Sequence, residues 1–103
     1  MSRMKETTVN VGVARVTFRL HGNDSLKGKR KIVKSLIERS RNRFPIAIAE
    51  VDDLDRYQRA TLGIAVIGND SRLLNAILDK VVEYMAGMGL ADLESHHFEI
   101  IPL

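Results

Sequence analysis

Cysteine is absent from this 103-residue chain, which excludes disulfides, thiolate metal sites and cysteine nucleophiles, and nothing ties the chain to an oxidising compartment. Tryptophan is absent too, and the aromatics amount to two tyrosines and three phenylalanines. The paired rings of a sheet that stacks several bases are therefore missing. No run approaches the roughly 20 apolar residues that span a bilayer, and Met1 to Thr8 lacks the apolar core of a signal peptide. The cytoplasm is the expected location, with no membrane partner.

What is present is the composition of one compact domain: 45% hydrophobic and 28% charged residues, with only two prolines. A chain of this length buries about 60–70% of its unfolded surface without a covalent staple. Residues 1–8, short, polar and charged, are expected to form a disordered or partly ordered leader, and residues 9–103 a single domain.

The net charge of +3 conceals segregation. The stretch Ser25 to Phe44 holds eight basic residues and one acid, Glu38, so it carries +7 while the remainder sums to −4. Leu26, Val33, Leu36, Ile37 and Phe44 recur at spacings of three, four and seven, which predicts an amphipathic helix with Ile32 at the edge of its apolar stripe. Lys27, Lys29, Arg30 and Lys31 crowd its first turns, where unpaired backbone N–H groups already favour acids. Free donors ringed by cations suit a phosphate group. On the helical wheel Lys29 alone projects back toward the apolar stripe, where its stem would pack and its ammonium would pair with a carboxylate such as Glu50.

The other segments are read from their periodicity. Thr8 to Leu20 alternates, with Ala14, Val16, Phe18 and Leu20 on one face and Arg15, Thr17 and Arg19 on the other, as a half-buried strand does. His21 to Asp24 turns the chain, and Asp24 or Ser25 caps the basic helix. Pro45 ends it. Ile46–Val51 and Arg59–Ile67 read as strands joined by the polar loop Asp52 to Gln58. Gly68 to Ser71 is a second turn and cap. Leu73, Leu74, Ile77, Leu78, Val81, Val82 and Met85 make a second helical stripe, which Gly87 and Gly89 end. Asp92 to Ile101 is a final strand. Strand, helix, strand, strand, helix, strand is the order of an α+β, ferredoxin-like βαββαβ sandwich: an antiparallel four-stranded sheet with two helices on one face. The open face would carry Arg15 and Arg19 beside Val11 and Val13.

Ser25-Leu26-Lys27-Gly28-Lys29-Arg30, Arg41-Asn42-Arg43-Phe44, Ala49-Glu50-Val51, Asp55, Gln58-Arg59-Ala60, Leu62-Gly63 and Asn69-Asp70, in this order and spacing, resemble the YlxP-like family of small bacterial proteins. The resemblance runs roughly from Val9 to Ile101. It implies a domain of unknown function with a ferredoxin-like fold, whose genes commonly sit among those for translation and ribosome maturation. Gly28 stands where relatives often carry an acid, and Tyr57 where they often carry tryptophan.

Enzymatic sites are not apparent. The serines fall in caps and no histidine has a recognisable partner, so no nucleophile stands beside a base. His96 and His97 point to opposite faces of a strand and cannot chelate one ion together, and His97 with Glu99 supplies too few ligands. Asp52, Asp53 and Asp55 read as a solvated turn. No cofactor, metal or catalytic residue is expected.

The expected function is that of a non-enzymatic RNA- or ribosome-associated module. It would bind phosphates through Lys27, Lys29, Arg30, Lys31, Lys34, Arg41 and Arg43, with Arg15 and Arg19 as contributors and Tyr57 as a stacking ring beside Gln58 and Arg59. Arg59 pairing with Asp55 is the alternative for that loop. Two other classes compete: a dimeric protein-interaction scaffold using the open sheet face, and a binder of a small phosphorylated ligand.

Overall fold

The computed structural model describes residues 8–103, so residues 1–7 of the expected leader lie outside the described residues. Six elements follow in the expected order: β1 (Asn10–Arg19), α1 (Leu26–Arg43), β2 (Ala47–Asp52), β3 (Arg59–Gly68), α2 (Ser71–Gly87) and β4 (Asp92–Pro102). The strands pair antiparallel in the order β2-β3-β1-β4. Each strand–helix–strand unit therefore skips one position and is filled by a strand of the other unit, which is the ferredoxin-like arrangement.

Alternation decides the two faces of the sheet. Ala14, Val16 and Phe18 of β1 and Leu62, Ile64 and Val66 of β3 are buried in one core with both helices. Val11, Val13, Arg15, Thr17 and Arg19 fall on the other face, one residue out of step. Helix α2 adds Leu74, Leu78, Val81, Val82 and Met85 to the core. Its cap is Asp70, whose carboxylate accepts from the N–H groups of Arg72 at 3.0 Å and Leu73 at 3.4 Å. Leu73 belongs to the expected stripe but is 58% exposed, because it sits at the outer edge of the first turn.

Of the two candidate caps for α1, serine is the one used: Ser25 Oγ accepts from Gly28 N at 3.0 Å. Phe44 leaves the helix at φ −128° and ψ 150°, the extended geometry that a following proline enforces. The buried seam of α1 runs through Lys29, Val33, Leu36 and Ser40, while Leu26 and Ile37 are only half-buried. A lysine and a serine thus occupy positions that the apolar pattern reserved for neighbouring residues.

Both outer strands bulge at one level of the sheet. β2 shifts register between Glu50 and Asp52, and β4 between the partners of Thr17 and Phe18. The inserted residues are Val51 and Glu94. Val51 lies across Gly63, where an added Cβ would come within 2.9 Å of its Cγ1. Bulges re-aim side chains and sharpen the twist, and beyond this level the open face carries Arg19, Arg59 and Glu94.

Candidate functional site

The charged end of the molecule is where β1 finishes, α1 starts and the β2–β3 loop turns. Asn23 holds these parts together: its Nδ2 donates to the Ser25 carbonyl at 2.8 Å and the Tyr57 carbonyl at 2.6 Å. In return Gln58 Nε2 donates to the Asn23 carbonyl at 3.2 Å, and Leu20 N to the Gln58 carbonyl at 2.9 Å. Gly28 makes this possible, since a Cβ there would stand 2.3 Å from Asn23 Oδ1. The missing side chain at Gly28 is the space into which Asn23 folds.

Of the two roles expected of Lys29, the structure shows the packed stem paired with Glu50, and the phosphate contact is corrected because the ammonium is buried. Lys29 is 1% exposed, its Nζ lies 2.9 Å from Glu50 Oε2, and it donates to the carbonyls of Asp53 and Leu54. The Glu50 contact is an ion pair and not a directed hydrogen bond. The ammonium thereby fastens the β2–β3 loop to α1. With two donors on loop carbonyls and its charge paired with Glu50, the buried ammonium is turned away from the surface.

Lys27, Arg30, Lys31 and Lys34 are all exposed, and among the described residues none has a carboxylate within ion-pair distance. No acid lies in the first turn of α1. Arg41 and Arg43, also exposed, have partners within the protein. Arg41 Nη2 donates to the Ile48 carbonyl at 3.3 Å, covering part of the edge of β2. Arg43 lies 4.9 Å from the centre of the Tyr84 ring, which Phe44 meets edge-on at 5.6 Å.

On the open face, Arg15 is exposed and faces Gly63 and His97 across the ladder. Arg19 and Arg59 are direct cross-strand partners, an arrangement that repels unless an anion intervenes. Glu94, the bulge residue, is that anion. Its Oε1 accepts from Arg19 Nε at 3.0 Å and Nη2 at 2.8 Å, and its Oε2 from Arg59 Nη2 at 2.6 Å. The hydrogen bond from Arg19 and the charges of Arg59 and Arg19 hold the Glu94 carboxyl below its ordinary range against partial desolvation. Arg59 thus pairs with Glu94 at 2.6 Å and not, as in the alternative reading of this loop, with Asp55. Beside this cluster Thr17 and Thr61 share a hydrogen bond at 3.1 Å, and Thr61 Oγ1 donates to Asp53 Oδ2 at 2.7 Å.

Arg19, Arg56 and Arg59 line an open depression of about 510 Å³ with Asp55, Tyr57 and Gln58. Tyr57 is half exposed at its rim. Glu94 and Arg56 escaped the sequence reading. The usable signal was the opposition of Arg19 and Arg59, which demands a counter-anion but does not say which one. Among the described residues no three histidine or acidic side chains converge as metal ligands do, and no helix is long and apolar enough to cross a membrane.

The chain has likenesses among known proteins in sequence and in fold. The sequence model of a family described as "Protein of unknown function (DUF503)" matches residues 11–98. The chain is similar to the uncharacterized protein YlxP of Bacillus subtilis (strain 168), at 28% identity over 75 residues, covering 73% of this chain and 82% of that protein. A de novo designed protein, Foldit4, superposes with a TM-score of 0.48 at 10% identity, over 92% of this chain and 96% of that one.

Proposed function

The chain belongs to the family described as protein of unknown function (DUF503), and we propose that within it this protein acts as a non-enzymatic, cytoplasmic RNA- or ribosome-associated module, in translation or ribosome maturation. The observation that carries the reading is the state of α1. Lys27, Arg30, Lys31 and Lys34 stand exposed, and unpaired among the described residues, on the first half of a helix with no acid in its first turn. Such a surface works against its own helix dipole and gains when phosphates approach. Arg41 and Arg43 extend it along the same helix, and Arg15 adds an exposed cation on the opposite, open face of the sheet. Contact through backbone phosphates implies binding by shape and charge, with little reading of base sequence.

The test is co-sedimentation of the purified protein with separated ribosomal subunits over a salt series, beside a variant in which Lys27, Lys31 and Lys34 are all alanine. Saturable binding to one subunit that weakens with salt and is lost in the variant supports the reading. Unchanged binding by the variant overturns the assignment to α1.

One observation favours a second reading, a homodimeric scaffold. The apolar half of the open face presents Ile67, 70% exposed, with Val51 and Ile101 about half exposed, beside Val11 and Val13. A mass that rises with protein concentration in the parent chain and not in Ile67→Glu would select it.

A further inference from the structure

We propose that the depression between Arg19, Arg56, Arg59 and Tyr57 is a nucleotide subsite, with Glu94 occupying the place of the phosphate until a ligand displaces it. The inference rests on the reading of the protein as an RNA-binding module and adds to it a place for one nucleotide, separate from α1.

Three features support a site in place of a closed structural cluster. The first is the geometry of Glu94. A single carboxylate spans two guanidiniums on neighbouring strands, using both oxygens at 2.6 to 3.0 Å. That is the arrangement of acceptors a phosphate presents, and arginine recognises both groups by the same fork. The second is the donors left over. Arg59 Nε is buried with no acceptor, and Arg56 reaches only to 3.9 Å from Asp53 Oδ1 while 64% exposed. A carboxylate has too few oxygens to satisfy three guanidiniums; a phosphomonoester has one more and a greater charge, and a phosphodiester matches the carboxylate's two charged oxygens and adds bridging and sugar oxygens as further acceptors. The third is position. Glu94 is the inserted residue of the β4 bulge, lies on an exposed face, and supports no apolar core, so its departure leaves the fold intact.

Tyr57 supplies the remaining chemistry. Its ring is half exposed at the rim, and its backbone is held still through its carbonyl by Asn23. A ring on an anchored backbone beside an arginine cluster accommodates a base stacked on tyrosine with its phosphate on Arg19 and Arg59. The ligand class is therefore a nucleotide, either one unit of a single strand or a free nucleoside monophosphate. A duplex, whose bases are already stacked, has nothing to offer the ring. The clip between Asn23, Ser25 and Tyr57 places this subsite next to the start of α1, so one strand would run from the helix cations into the depression.

The experiment compares fluorescein-labelled single-stranded and double-stranded RNA of the same sequence, by anisotropy, against the parent chain, Tyr57→Leu, Glu94→Gln and the triple alanine variant of Lys27, Lys31 and Lys34. Tyr57→Leu is expected to weaken single-strand binding about tenfold and to leave duplex binding unchanged. Glu94→Gln, which removes the competing charge, is expected to strengthen single-strand binding severalfold. Circular dichroism checks that both surface variants keep the fold. Equal single-strand affinity in the parent, Tyr57→Leu and Glu94→Gln overturns the subsite. Loss in the triple variant with none in Tyr57→Leu leaves the α1 reading standing and removes the subsite; the reverse pattern keeps the subsite and removes α1. Adenosine monophosphate added as competitor separates the sources: displacement at micromolar concentration assigns the site to free nucleotides, and failure to displace assigns it to a strand.

Discussion

Lys29 and Glu50 form an ion pair of 2.9 Å between α1 and β2, with the lysine almost wholly buried inside the most basic helix of the chain. Their contact separates one cation that stabilises the fold from its neighbours that do not. Breaking a buried pair strands the remaining charge, so Lys29→Ala is expected to cost about 3 kcal/mol of unfolding free energy. Urea denaturation measures the loss, and RNA affinity per folded molecule stays at the parent level.

Lys27 has the opposite character. It lies exposed at the second position of α1, against the helix dipole. Lys27→Glu is expected to raise stability by about 0.5 kcal/mol while lowering affinity for RNA. In the triple alanine variant the slope of log affinity against log salt should fall by about 2 to 3, the contribution of three phosphate contacts. A variant that gains stability and loses binding together distinguishes a functional cation from a structural one.

The cap assignment is testable at neighbouring residues. Ser25 accepts from Gly28 N at 3.0 Å, whereas Asp24 makes no such bond. Ser25→Ala is expected to lower the unfolding free energy by about 1 kcal/mol, and Asp24→Ala to leave it nearly unchanged. Thermal melts of the two variants decide it.

Glu94 sets a dependence on pH. Its carboxyl is held below the ordinary glutamate range, first by the hydrogen bond from Arg19 and then by the charges of Arg59 and Arg19, partly offset by desolvation. A depressed folded value means that its stabilising contribution is complete above the unfolded glutamate value, near about pH 4.3, and is lost as the pH falls through the folded value. Melting temperatures taken from pH 7 down to 3 are therefore expected to show the parent above Glu94→Gln at neutral pH. The gap should close toward the acid end.

Much of the fold was legible because its signals are local. Alternation of apolar and polar residues in β1, a cap at Asp24 or Ser25 and another within Gly68 to Ser71, and Pro45 after α1 each act within a few residues, and together they order the six elements. The expected edges moved by a residue or two: β2 begins at Ala47 and not Ile46, and β1 at Asn10 and not Thr8. The seam of α1 was less legible. Hydropathy placed Leu26 and Ile37 on it, while the structure runs it through Lys29 and Ser40, because Glu50 and two loop carbonyls supply what a buried ammonium needs.

The candidate site divides in the same way. The clustering of Lys27, Arg30, Lys31 and Lys34 on one side of a helix follows from a period of 3.6 residues, and so is written in the sequence. The partners of Arg19, Arg41, Arg43 and Arg59 are not. Glu94 is 75 residues from Arg19 and 35 from Arg59, and its carboxylate reaches them only because a bulge in β4 turns it onto the open face. By itself the sequence determined the elements, their order and where positive charge gathers, since these depend on neighbours along the chain. Lys29 apart, whose burial the helical wheel already indicated, which cations are free and which share a carboxylate was decided by strand register, bulges and loop closure, which bring distant residues within hydrogen-bond reach.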